Sequence, residues 1–380
     1  MTRGSSVIRL EAARSSSILL DPCSSLLEYL LLLAELAVNV STRPQSALPS
    51  NMTEVGPPHK RQRGETTALA VYQDEGPRTS SLPAPTLQLS GHTGSVYALA
   101  YNPTGEVLAS ASFDKTILLW SHSNYENFNQ LVGHKNAVLD SAWCDDETLV
   151  TVGADHLVLL WDAETGTRLR QWKEHTGVVN ACHGVGETQV VTASDDGACI
   201  LWDRRQKSSV GLLSDDRDLP QTAVAATDTH VYTGGIDNWI TCWDLRLSKK
   251  SYSMKGHTDT VASLAIHPES THLLSHSLDQ TLRIWDIGNY SSGPKRLCKT
   301  FAGQHKVQKA LLKCAWSSDG RLITAGSSDQ MVHIWDEFSE QELYLLPGHQ
   351  GCVNTVVFHP KENVIASGSS DKQILIGELS

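Results

Sequence analysis

Five times along this chain a histidine is followed by a hydroxyl residue and then an aspartate. The sets are His92, Ser110 and Asp114; His134, Thr151 and Asp155; His175, Thr192 and Asp196; His257, Ser275 and Asp279; and His349, Ser367 and Asp371. Such a trio could activate a hydroxyl as a nucleophile, with histidine as base and aspartate orienting the ring, which is the chemistry of acyl transfer. An active site is singular, however, whereas these sets recur. Each of the first four also has a fourth member, a tryptophan six residues after the aspartate: Trp120, Trp161, Trp202 and Trp285. A buried indole N–H is a donor with no acceptor capacity. A Ser or Thr oxygen can accept its proton and pass the hydroxyl proton to histidine, which then donates to the carboxylate. The residue types therefore fit a repeated structural tie, and enzymatic activity is not expected.

The spacing defines the element that must hold them. Aspartates at 114, 155, 196, 237, 279, 329 and 371 are separated by 41, 41, 41, 42, 50 and 42 residues, and the long step contains a loop insertion, "GNYSSGPKRLCK". Repeat four keeps Thr233, Asp237 and Trp243 but has "LSDDRDLPQT" where Gly-His stands elsewhere. Repeat six keeps Asp329 and Trp335, has Ala325 at the hydroxyl position, and offers Gln304-His305 as a degenerate Gly-His. Repeat seven ends in Gly377 in place of tryptophan. Each unit predicts four short strands, such as Val96–Tyr101, Val107–Ser112, Thr116–Trp120 and a fourth near Phe128–Leu131.

These Gly-His, Ser/Thr, Asp and Trp-Asp marks resemble the WD-repeat family, whose fold is a β-propeller. The resemblance implies an all-β, seven-bladed propeller over residues 86–380, following an extension over 1–85 that is mostly disordered. In that family the repeat is offset from the blade. "TLQLS", Thr86 to Ser90, would then supply the strand missing from repeat seven and remove two open sheet edges.

Composition narrows the function. With 31 basic and 42 acidic residues the chain carries a formal charge of −11, so no general basic field favours nucleic acid. Eight cysteines show no C-x-x-C pair and no zinc spacing, which reads as buried free thiols in a reducing compartment. No phosphate-cradling glycine motif stands in a strand-to-helix context. No metal, cofactor, small-molecule substrate or membrane partner is expected. In the extension, "SSLLEYLLLLAELAV" at 24–38 is apolar but interrupted by Glu28 and Glu35. It reads as a weak targeting segment, as an amphipathic helix, or as sequence upstream of a true start at Met52. "HKRQR" supplies Lys60, Arg61 and Arg63 as a nuclear-import patch, and "PRTSSLPAPT" is a Pro- and Ser-rich linker.

Several long stretches, among them "LSGHTGSVYALAYNPTGEVLASASFDKTILLW" and "LPGHQGCVNTVVFHPKENVIASGSSDKQILIGELS", with its closing Gly-Glu, resemble the WD-repeat subunits of the U5 small nuclear ribonucleoprotein. That resemblance implies a nuclear, non-catalytic scaffold of pre-mRNA splicing, bound to the large U5 core splicing protein and to U5 small nuclear RNA only indirectly. In WD folds the residue before the turn aspartate, and the fifth after the Gly-His histidine, face the central channel on one side of the ring. These positions hold Phe113, Ile236 and Leu278, and Tyr97 and Leu139, as a protein-binding set. The alternative is a substrate receptor of a cullin-RING ubiquitin ligase, since W-D-x-R occurs twice and ends in Arg205 and Arg246.

Overall fold

The computed structural model describes residues 80–379 apart from 187, 216, 289–295 and 303–310. The basic patch at 59–63, the apolar stretch at 24–38 and His305 lie outside these residues. The described chain forms seven antiparallel four-stranded sheets. The first strands of successive blades touch one another around the ring, and Val96–Tyr101 of blade 1 meets Val353–Phe358 of blade 7. The molecule is a closed seven-bladed propeller.

Local sequence accounts for the layering. Inner strands lie between neighbouring blades and are buried on both faces. They therefore read as continuous small or apolar runs, as in Val107–Ser112 and Val158–Asp162. Outer strands have solvent on one face and alternate, as in Asn127–Val132, where Leu131 is buried and Val132 exposed. The "NPTGE" turn is locked by Asn102, whose Oδ1 accepts the Val107 N–H at 2.9 Å, and by Gly105 at φ 83°. Of the loop insertion, Leu297, Cys298 and Lys299 belong to the strand Leu297–Ala302.

The ring is closed by the strand Thr86–Ser90. It pairs antiparallel with Gln373–Glu378 in the register Thr86 to Gly377 and Ser90 to Gln373. This covers one open edge rather than two, because Thr86–Ser90 itself becomes the edge of blade 7, presenting Thr86, Gln88 and Ser90 to solvent. Packing starts upstream of the strand. Leu82 is 3% exposed and shares a core cluster with Leu89, Trp120, Tyr125 and Ile376. The Ser81 hydroxyl donates to Glu362 at 3.0 Å.

Removal of residues 1–79 is expected to leave a cooperatively melting monomer. Removal of 1–90 strips Leu82, Leu89 and the closing strand, and is expected to give an aggregating product. Size-exclusion chromatography and thermal denaturation of the two truncations check this.

Candidate functional site

The Trp–hydroxyl–His–Asp ties form as the residue types require. In blade 1 the Trp120 indole N–H donates to Ser110 Oγ at 2.9 Å, Ser110 Oγ lies 2.8 Å from His92 Nε2, and His92 Nδ1 lies 3.0 Å from Asp114. Blade 2 repeats this with Trp161, Thr151, His134 and Asp155 at 2.8, 2.8 and 3.0 Å. Trp202, Thr192, His175 and Asp196 follow at 2.9, 2.7 and 2.9 Å, and Trp285, Ser275, His257 and Asp279 at 2.8, 2.7 and 2.9 Å. Each hydroxyl has one proton to give. The ring nitrogen at 2.7–2.8 Å is a closer partner than the carbonyl that Ser110, Thr192 and Ser275 also approach at 3.3–3.4 Å. This geometry fits a hydroxyl proton given to Nε2 and an Nδ1–H given to the carboxylate. Ser110, Thr151, Thr192 and Ser275 are each 0% exposed, out of reach of any substrate.

Burial alone would raise the turn carboxyls. Hydrogen bonds from histidine and backbone N–H groups outweigh it and hold Asp114, Asp196 and Asp279 well below the usual carboxylate range. Asp155 and Asp371 are lowered in the same way. The glycine of Gly-His also has a reason. A Cβ on Gly133 would come within 2.7 Å of the Trp161 ring, and one on Gly256 within 2.9 Å of the Trp285 ring.

The three irregular repeats solve the problem differently. In blade 4, Trp243 still donates to Thr233 at 3.0 Å, but Arg217 takes the absent histidine's partner and pairs with Asp237 at 2.9 Å. Arg217 also lies over the Trp239 ring at 4.7 Å. The "LSDDRDLPQT" segment held this signal in its single arginine, but without a three-dimensional frame it had no register. In blade 6, Asp329 takes a 2.9 Å contact from His333, four residues on, whose ring stacks on Trp335 and whose other nitrogen faces Glu342. In blade 7 the His349, Ser367 and Asp371 tie is intact at 2.9 and 3.0 Å without an indole. Leu375 approaches Gly348 instead, and Leu379, 6% exposed, packs between blades 6 and 7 in the cluster that holds Ile334 and Ile365.

Of the proposed contact set, the ring brings three residues together. Tyr97 and Phe113 meet edge to face at 6.4 Å and pack on Leu139, Ala137, Ala154 and Val178. Leu139 is 7% exposed and forms the floor of this cluster, so it is not a surface residue as the sequence suggested: Tyr97, Phe113 and Val178 pack over it. Ile236 and Leu278 are half-buried on blades 4 and 5, outside that cluster. Below it Lys313 of blade 6 reaches Asp140 of blade 2, bracing the channel, a pair that no sequence periodicity relates. Arg205 and Arg246 are exposed on the opposite turns, and Arg204 is used in an ion pair with Asp145. Cys182, Cys199, Cys242 and Cys314 are buried free thiols, whereas Cys298 is exposed. Burial pushes Cys242 and Cys314 up to about 11 and about 12, away from thiolate chemistry.

The profile for "WD domain, G-beta repeat" matches residues 83–121, 126–162, 166–203, 248–286, 295–336 and 340–376, passing over the repeat in which arginine replaces histidine. The human U5 small nuclear ribonucleoprotein 40 kDa protein is 42% identical over 321 residues, covering 83% of this chain and 89% of that protein. This chain belongs to the family of U5 40 kDa WD-repeat proteins. The Dictyostelium discoideum member is 40% identical over 85% of this chain and 94% of its own. The pre-mRNA-splicing factor cwf17 of Schizosaccharomyces pombe is 39% identical over 84% and 95%.

Two outcomes follow. Trp202→Ala is expected to cost about 3–5 kcal/mol of stability, read as a clear fall in melting temperature. The turn aspartates have folded pKa values below their unfolded ones, so their stabilisation is complete above about pH 5 and is lost progressively below about pH 4. His257 is lowered chiefly by burial, so the unfolded chain binds its proton first and stability already declines as pH falls through about 6.5. A melting-temperature profile from pH 8 to pH 3 should fall in those two stages.

Proposed function

We propose that this protein is a non-catalytic scaffold of the U5 particle, acting in pre-mRNA splicing. The carrying observation is 42% identity across 89% of the human U5 40 kDa protein on a ring whose catalytic-looking residues are consumed by its own ties. The protein is nuclear. A rigid ring suits this role, because its turns present many short surfaces in fixed relative positions without reorganisation on binding.

The main partner is the large U5 core splicing protein, docked on the face that carries the Asp turns. Support comes from Tyr97 and Phe113, large half-buried aromatic rings beside the channel mouth, of the type that anchors protein interfaces. Ile236 and Leu278 extend this surface over blades 4 and 5. Lys60, Arg61 and Arg63 serve nuclear import. The ubiquitin-ligase reading has weaker support: Arg205 stands 69% exposed but lies 3.5 Å from its own Asp203, a partner an adaptor carboxylate would have to displace.

Phe113→Asp combined with Ile236→Asp, in tagged protein recovered from nuclear extract, is expected to lose the large core protein while the melting temperature stays within a few degrees. Recovery of the core protein at wild-type level by a folded variant would move the interface to another face.

A further inference from the structure

The outer strands of the seven blades are open sheet edges, and they are guarded unevenly. Blade 4 ends in Lys249, Lys250 and Lys255, and blade 7 in Thr86, Gln88 and Ser90. Such charged or polar side chains discourage another strand from pairing. Blade 1 exposes Phe128 and Val132, but Gln130 stands between them on that face, and blades 2 and 5 expose one leucine each, Leu169 and Leu297; blade 6 carries an adjacent pair. Its outer strand, Glu342–Leu346, exposes Leu343 and Leu345 at 50% each, both on the solvent side of the pleat. The turn before it exposes Phe338 at 87%. Blade 3 also exposes Val210 and Leu212, but Gly211 separates them, and glycine weakens an edge strand.

We propose that the outer edge of blade 6 is a docking site for an extended segment of a partner protein, which adds a fifth strand to this sheet. Its backbone pairs with Glu342–Leu346. Two of its apolar side chains, two residues apart, lie beside Leu343 and Leu345 as cross-strand pairs. Phe338 covers one end of the added strand.

Charge selects the partner. The segment "DEFSEQE" places Asp336, Glu337, Glu340 and Glu342 around the apolar strip. Lys299 pairs with Glu337 at 2.9 Å and His333 faces Glu342, which leaves the rim acidic. The incoming strand therefore carries Lys or Arg beside its apolar residues. A second copy of this edge would bring the same carboxylates together. The chain's own apolar stretch at 24–38 contains Glu28 and Glu35 and no base, so it too is disfavoured.

The test is a random twelve-residue peptide library displayed on phage, selected on the full chain. The selected peptides are then measured against the variant Leu343→Lys/Leu345→Lys and, as a second variant at a fully solvated position, Phe338→Glu. Peptides with two apolar residues at i and i+2 flanked by Lys or Arg should be enriched. They should bind the double variant at least tenfold more weakly, and the Phe338→Glu variant at least threefold more weakly. Peptides that bind both variants as well as wild type, or that carry acidic flanks, overturn the proposal. So does a concentration-dependent dimer that the double variant abolishes, which would make the occupant a second copy. A tenfold gain in peptide affinity when Leu30, Leu31, Leu32 and Leu33 are changed to Ser would assign the edge to the chain's own stretch, and also overturns it.

Discussion

A buried indole N–H must find an acceptor, and the rest of this ring is arranged around that requirement. Tryptophan fills the space between strands better than any other side chain here, yet its nitrogen would be costly to leave unpaired, by about 1–3 kcal/mol. A Ser or Thr on the adjacent strand accepts its proton, and the hydroxyl proton then passes to a histidine brought over from the preceding turn. That histidine reaches an aspartate which also accepts the backbone N–H after it, as Asp114 does from Thr93 at 2.9 Å. One polar line therefore ties the third strand, the second strand and two turns in blades 1, 2, 3 and 5. Its links are worth roughly 0.5–1.5 kcal/mol each, and they set orientation as much as stability.

The departures show what the tie is for. Blade 4 keeps the tryptophan and hydroxyl and replaces the histidine by Arg217, a cation that needs no proton shared with Thr233. Blade 6 draws its histidine from within the third strand. Blade 7 drops the tryptophan, and there the blade is completed by a strand from the other end of the chain. With Leu82 and Leu89 buried at that seam, the N-terminal segment supplies packing at the one blade that lacks an indole.

A ring held in this way is repetitive inside and varied outside. Buried ties fix the strands, so surface turns and outer strands are free to differ from blade to blade. Tyr97 and Phe113 gather on one face, Arg205 and Arg246 on turns of the other, and the leucines of blade 6 on the rim. A splicing scaffold needs this separation, because several partners can bind without competing for the residues that keep the ring closed.

The sequence by itself determined the fold class, the number of blades and the closing strand, because each follows from a spacing that repeats: aspartate to tryptophan, histidine to aspartate, and one strand too few at the end. It also placed Ser110, His92, Asp114 and their counterparts in a structural role. Tertiary structure alone decided the rest. Arg217 could be matched to Asp237 only once the turn before blade 4 had a position, since arginine there fits no repeat pattern. Leu139 went to the floor of the aromatic cluster because Val178 of the next blade and the rings of Tyr97 and Phe113 cover it, although Tyr97 holds the same repeat position and stays half-buried. Lys313 met Asp140 across the channel although 173 residues separate them. Periodicity encodes contacts that recur in every blade; contacts that cross the axis or join the two ends occur once, and only the closed ring brings their partners within reach.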